Sequence, residues 1–405
     1  MGARQAGDER PALTSASFPR VFVHLDNGRS PATWSRAHRD SRVLEEWPYG
    51  YQFARDYLHL TYSRDTEEPR IARFLRRALC HVIGFDLIHA LRNLDGLRDA
   101  EVIWTHTEHE HLAIAMLQKI GLIGRVPIVG QTIWLWDSWR RFGPLRRLFH
   151  RWLLSDIAVH TTHSTHNAAY ATQELGQAAR VIPFGIQPTF TVPPRPAHET
   201  SSRINVVAPG NDRHRDWKLL AEVAQRNPDI TVRVLSARFR ARRLLSRLLP
   251  NFSVVRITNT ADLIGEYAQA DVVAVPLRPN AHASGLTVAF EALQAGRPLV
   301  ITRTGGVDDY LQGQAWYAGV QDAESFAQAV RAAAPSAGDG EAMSRRRSHI
   351  AASGLTARDY GLRHVVLTHH VLQRPLYPDF ESASAFAPVQ LHPHQSDRIA
   401  TSDPA

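Results

Sequence analysis

The run Ala283-Ser284-Gly285-Leu286-Thr287-Val288-Ala289-Phe290-Glu291 puts a glycine turn, two hydroxyls and a carboxylate at the start of one expected helix. The first backbone N–H groups of a helix have no partner within it and sit at the positive end of its dipole. Ser284, Gly285, Leu286 and Thr287 are therefore candidates to cradle a diphosphate. Glu291 lies one turn beyond Thr287 on the same face, where it can accept hydrogen bonds from both hydroxyls of a ribose. A glycine-capped helix with a surface carboxylate is the plainer reading. The loop follows a strand ending at Pro276-Leu277, and open α/β sheets bind ligands at the carboxyl ends of their strands, which favours the ligand.

A second group is Pro209-Gly210-Asn211-Asp212-Arg213-His214-Arg215-Asp216-Trp217-Lys218, again between a strand and a helix. Gly210, Arg213, Arg215 and Lys218 are candidates to face the same diphosphate. Arg213 and Lys218 would also stabilise negative charge on a departing group. Basic residues at a helix start oppose its dipole unless an anion is present.

The run Trp104-Thr105-His106-Thr107-Glu108-His109-Glu110-His111 follows a buried strand. Acid–base work or acceptor binding by His106 or Glu108 is expected here, with helix capping by Thr107 or Glu108 as the plain alternative. His109 and His111 alternate in a loop without a distant Cys or Asp partner, so no metal site is expected. The acceptor side would draw on Gly28, His106, His109 and Trp136. Asp137, beside the tryptophans that follow the next strand, is the carboxylate to test as a general base.

These loops need sheets to hold them. Apolar runs alternate with helical patterns from Arg20 to Pro183 and again from Ile204 onward, which reads as two doubly wound α/β domains. The length of 405 residues agrees, since single cores stop growing at roughly 250–300 residues. The divisions expected are a flexible 1–19, an N-terminal domain 20–190, a Pro-rich linker 191–203, a C-terminal domain 204–350, a helix 351–373 and a disordered tail 374–405. An amphipathic helix is expected over Pro69 to Val82, and one helix over Gly84 to Leu97.

The net charge of +8 favours an anionic partner. The single cysteine, Cys80, excludes an intrachain disulfide. No apolar run reaches the ~18 residues that cross a bilayer, so a cytoplasmic location is expected. Tryptophans and arginines mixed from Trp134 to Leu154 suggest peripheral contact with anionic membrane, against the plainer reading of buried Trp and solvated Arg. No RNA-binding signature or zinc motif is present, and nucleic acid is not an expected partner.

Ser284-Gly285, Glu291-Ala292, Ala295-Gly296-Arg297-Pro298, Thr304-Gly305-Gly306 and Pro183-Phe184-Gly185-Ile186 together resemble the retaining GT-B glycosyltransferases of family 4. The resemblance covers about Val181 to Tyr310 and is topological before that. It implies two Rossmann-like domains facing across a cleft, with a C-terminal helix returning to the N-terminal domain. It implies a nucleoside diphosphate sugar donor, UDP or GDP, with no cofactor or metal, and a glycan, lipid-linked or small-molecule acceptor. It also implies retention and a place in polysaccharide biosynthesis. The family's first glutamate falls at Ala283, so donor-sugar contacts differ here and the adjacent His282 is the expected substitute. The alternatives are an inverting enzyme with Asp137 or Glu108 as base, an epimerase, a silent scaffold, or a nucleic-acid-binding protein.

Overall fold

The computed structural model describes residues 18–195, 203–238, 249–377 and Phe380. The β-branched runs form two six-stranded sheets in which every pair is parallel. The N-terminal sheet holds β1 (Arg20–His24), β2 (His59–Tyr62), β3 (Val102–Thr105), β4 (Ile128–Thr132), β5 (Val159–Thr162) and β6 (Arg180–Val181), in the order β2-β1-β3-β4-β5-β6. The C-terminal sheet holds β7 (Ile204–Pro209), β8 (Ile230–Leu235), β9 (Phe252–Val255), β10 (Val272–Val275), β11 (Leu299–Thr302) and β12 (Ala315–Ala318), in the order β12-β11-β10-β7-β8-β9.

Strand order reverses between β1 and β3 in one sheet and between β7 and β10 in the other. Crossovers leave on opposite faces at such points and open a crevice at the carboxyl ends. The Gly28 and His106 loops flank the first crevice, and the Gly210 and Gly285 loops flank the second.

The last helix, Ala357–Val371, carries a capping box from Thr356 and Asp359 and returns to the N-terminal domain. There Tyr360, Val365 and Leu367 are buried with Val21, Val23 and Trp104, and the Trp104 indole N–H donates to Thr368 at 2.9 Å. Burial of each such side chain is worth about 1.5–3 kcal/mol, which ties the end of the chain to the first domain. Ile186 in the connecting segment bonds Leu355 and Ala357, so the two crossings between domains run side by side.

Some boundaries differ from expectation. Apolar patterning from Ser155 to His160 reads as one strand, but β5 begins only at Val159, because Ser155 caps the helix Pro144–Leu154 and donates to the Arg151 carbonyl. The helix expected over Gly84 to Leu97 is two short ones, Leu87–Leu91 and Leu94–Asp99, the first capped by Asp86. The start of the linker is packed, with Val192 buried and Arg195 paired to Asp271 at 3.0 Å. The start of the expected tail is packed too, because Tyr377 is buried against Phe18, Tyr57 and His369. The flexibility expected of residues 1–17, the remaining linker 196–202 and nearly all of the tail beyond Tyr377 lies outside the described residues.

Candidate functional site

The two C-terminal loops form one cradle. Arg215 bridges to Leu277, Asp216 donates its N–H to the Pro276 carbonyl at 3.0 Å, and Arg278 donates to His214 at 2.8 Å. The guanidinium of Arg215 is thereby drawn between Gly210 and Gly285. Both glycines have positive φ, 141° and 87°. A Cβ on either would meet the guanidinium at 2.5 or 2.4 Å, so glycine is required twice. Arg215 is 4% exposed, and its Nε and Nη1 have no hydrogen-bond partner among the described residues. Burial pulls its pKa down to about 10, with Asp212, Tyr267 and Glu291 opposing, so it stays charged. A buried, charged and unpaired donor is costly unless an anion completes it.

The helix Leu286–Ala295 opens from this point with Gly285 as its N-cap. The Ser284 hydroxyl is buried without a partner among the described residues. Of the four expected amides, those of Ser284 and Leu286 are spent in turns on His282 and Ala283, so they do not face a ligand. Gly285 and Thr287 keep theirs unpartnered among the described residues. Arg213 is exposed, donates to Ser138 of the other domain at 3.3 Å and lines the cleft. Lys218 is a correction: it is exposed and lines a shallow groove with Glu222 and Arg226 on the helix Trp217–Arg226, away from both cleft cavities. Its side chain falls beyond the capped turn, where Asp216 accepts from Leu219.

Glu291 and Thr287 line a second cavity of about 370 Å³ with Leu263, Gln187 and Glu45. Burial pushes Glu291 up to about 7, although the Tyr267 hydroxyl donates to it at 2.5 Å and Arg215 lies near. Glu45 comes from the opposite domain and is held by the Gln187 N–H at 3.0 Å. Burial pushes it up to about 7 as well, reinforced by Glu291.

Between the cradle and the N-terminal domain lies a clasp that spans the cleft. His282 bonds Asp137 through Nδ1 and Asp212 at 3.3 Å through Nε2, and Asp137 also accepts the Ala281 N–H at 2.6 Å. Burial works against a charged His282, yet the two carboxylates hold its pKa above the ordinary value. Burial likewise works against Asp137 and Asp212, and the histidines hold both below the usual range. Asp137 is thus a poor general base. Asp137, His214 and His282 each bring one atom within 4.8 Å of the others, a spacing a cation could use. A histidine protonated between two carboxylates has no lone pair to offer it.

On the acceptor side His106 is 5% exposed, stacks on Tyr49 with ring centroids 3.4 Å apart, and bonds the Tyr51 hydroxyl at 3.1 Å through Nδ1. Burial, then His163, keeps it well below its ordinary pKa and therefore neutral. Glu108 lines the larger cavity, and its Oε2 accepts from backbone, Ile133 at 3.0 Å and Trp134 at 3.2 Å, so one of its two oxygens braces the following loop. The cap of this helix is Thr107 with Glu110. His109 lines the larger cavity, about 820 Å³, with Nδ1 on the Gly84 carbonyl at 2.7 Å. Gly28 offers no free amide, since its N–H donates to Asp65 at 2.7 Å. Trp136 is 4% exposed and packs in the core against Trp139, so it touches no acceptor. Tyr49, Tyr51, Glu45 and Tyr267 escaped sequence reading because their nearest signals were isolated aromatics and acids in loops or unremarked helices.

Two parallel Rossmann-like domains facing a cleft, closed by a returning C-terminal helix, define the GT-B glycosyltransferase fold. Residues 216–334 match the family model described as Glycosyl transferases group 1, a stretch that includes Glu291 and stops short of Gly210 and Arg215. No curated protein matches the sequence. Solved structures share the fold. Sucrose-phosphate synthase from Thermosynechococcus elongatus superposes with TM-score 0.61 at 15% identity, over 87% of this chain and 99% of its own. The α,α-trehalose-phosphate synthase (UDP-forming) from Burkholderia vietnamiensis gives 0.59 at 12%, over 87% and 99%. HepE of Anabaena, in complex with UDP and glucose, gives 0.56 at 12%, over 85% and 98%.

Proposed function

We propose that this protein transfers a sugar from a nucleoside diphosphate sugar to a hydroxyl of a glycan, a lipid-linked molecule or a small molecule, with retention. The observation that carries this reading is Arg215, buried, charged and unpaired between two glycines beside the unpartnered Ser284 hydroxyl. Diphosphate oxygens would complete these donors. Glu291 would take the ribose hydroxyls from the adjoining cavity. The complexes of HepE with UDP and with UDP-glucose support a uridine nucleotide as the first donor to try.

In the reaction the bond from the anomeric carbon to the phosphate oxygen breaks with its electron pair going to phosphate. The acceptor oxygen forms the new bond and releases its proton. Arg215, the Gly285 and Thr287 amides and Arg213 would meet the developing charge, the part a metal plays elsewhere. Retention is favoured because both oxygens of Asp137 are taken up by His282 and the Ala281 amide, while Glu108 spends Oε2 on backbone amides. Neutral His106, with Nδ1 on Tyr51, is left to orient a sugar or acceptor hydroxyl from the N-terminal side.

Calorimetric titration with UDP, GDP and their sugars tests the reading. One of them should bind the wild type, and Arg215→Ala should weaken it severely. Absence of binding by the whole panel, or equal binding by the variant, would overturn it.

A further inference from the structure

The helix Arg70–Ile83 is seated with its apolar side outward. An amphipathic helix in a globular domain ordinarily turns that stripe to the core. Here Ile71, Phe74, Leu75 and Val82 are 76%, 70%, 60% and 75% exposed. The residue turned inward is Arg76, 8% exposed, clamped by Glu68 at 2.9 Å and by Asp86. Rotating the helix to bury the stripe would break that clamp and strand its buried charges, so the orientation is built in.

A second helix, Pro144–Leu154, buries Leu153 and Leu154 yet also turns apolar side chains outward. Leu145, Leu148 and Trp152 share one face and are 83%, 65% and 44% exposed, while Leu153 and His150 point into the domain. The two helices adjoin: a Cβ on Gly84, just past the first, would meet Arg146 and His150 of the second at 2.8 and 3.3 Å. Eight of the thirteen large apolar side chains exposed among the described residues lie on these two helices, so the exposure is concentrated rather than scattered.

Neither helix carries an acidic residue. Arg70, Arg73 and Arg77 are exposed without an acidic partner among the described residues. We propose that this face docks on an anionic lipid bilayer, with the apolar side chains entering the acyl boundary and the arginines meeting phosphates. A second copy would bring arginine against arginine, which disfavours self-association. No helix of the described residues is long and apolar enough to cross a membrane, so the contact is peripheral. The cavity of about 820 Å³ opens between the same helices, lined by Arg77 and His81 from one and Arg146 and His150 from the other. On the transferase reading above, an anionic lipid-borne acceptor would reach the cleft from the bilayer; the docking itself does not rest on that reading.

Flotation of the full chain with phosphatidylcholine vesicles, with and without phosphatidylglycerol, tests the docking independently of activity. Binding is expected only with phosphatidylglycerol, to weaken with salt, and to fall by about tenfold or more in Phe74→Ser/Leu75→Ser and partly in Arg70→Gln/Arg73→Gln. Melting temperatures and far-UV circular dichroism of the variants should match wild type, showing that they fold. The proposal is overturned if wild type fails to float with anionic vesicles or if the Phe74/Leu75 variant floats as well. It is equally overturned if light scattering shows a dimer that this variant dissociates, which would make the face a self-association surface.

Discussion

A guanidinium buried with two nitrogens unpaired destabilises the free protein and recognises an anion by the same physics. Arg215→Met should therefore raise the melting temperature of the free protein, by about 1–3 kcal/mol in unfolding free energy. The same change should weaken a nucleotide sugar by roughly 30- to 150-fold, the value of about 2–3 kcal/mol for charged hydrogen bonds. Denaturation and calorimetry on one pair of proteins check both halves. Glu291 gives a pH signature. Its pKa is raised from 4.5 to about 7, so the stability linked to it is complete below about 4.5 and is lost as pH rises through 7. Ribose hydroxyls donate to the ionised carboxylate, so binding of a nucleotide sugar should tighten as pH rises from about 6 to about 8. Titrations of Glu291→Gln at both values should give one affinity. Glycine spacing and residue type made Arg215 and Glu291 legible in the sequence. Their partners were not, since Tyr267 and Glu45 come from segments distant in the chain.

At the level of elements, the sheets were readable because parallel strands buried on both faces appear as continuous apolar runs. Helix orientation was not. The stretch from Trp134 to Leu154 holds tryptophans whose spacing allows either core or surface, and packing divides them: Trp136 and Trp139 are buried, while Trp152 is 44% exposed. Trp136→Ala should cost about 3–5 kcal/mol of stability, as large-to-small core changes do. Trp152→Ala should cost less than about 0.5 kcal/mol, as ordinary surface changes do. Chemical denaturation separates the two. The helix Arg70–Ile83 makes the same point, because its amphipathic pattern states that two faces differ and leaves open which of them meets the protein.

For the whole molecule, the clasp of Asp137, His282 and Asp212 joins the domains through side chains separated by up to 145 positions. Its pH window follows from the shifts. His282 is raised, so its contribution is full below about 6.5 and is lost as pH rises through the higher folded value. Asp137 and Asp212 are lowered, so theirs is full above about 3.8 and is lost on acidification. His282→Asn should destabilise the protein most between about pH 4 and 6.5, by about 3 kcal/mol, with the difference shrinking at alkaline pH. Melting curves of both proteins across that range check it, and a constant difference would count against a charged clasp.

The order of residues by itself determined the two α/β domains, the loops at the carboxyl ends of the strands and the residue types suited to a diphosphate and a ribose. These follow from periodicity, turn chemistry and helix starts, all of which are local. Only the tertiary structure decided that Arg215 rather than Lys218 enters the cradle, that Glu108 braces a loop, that Asp137 is spent on His282, and that an apolar helical face looks outward. Each of those outcomes depends on which distant group is within about 3 Å, and hydrogen bonding and desolvation at that range are properties of the packed chain.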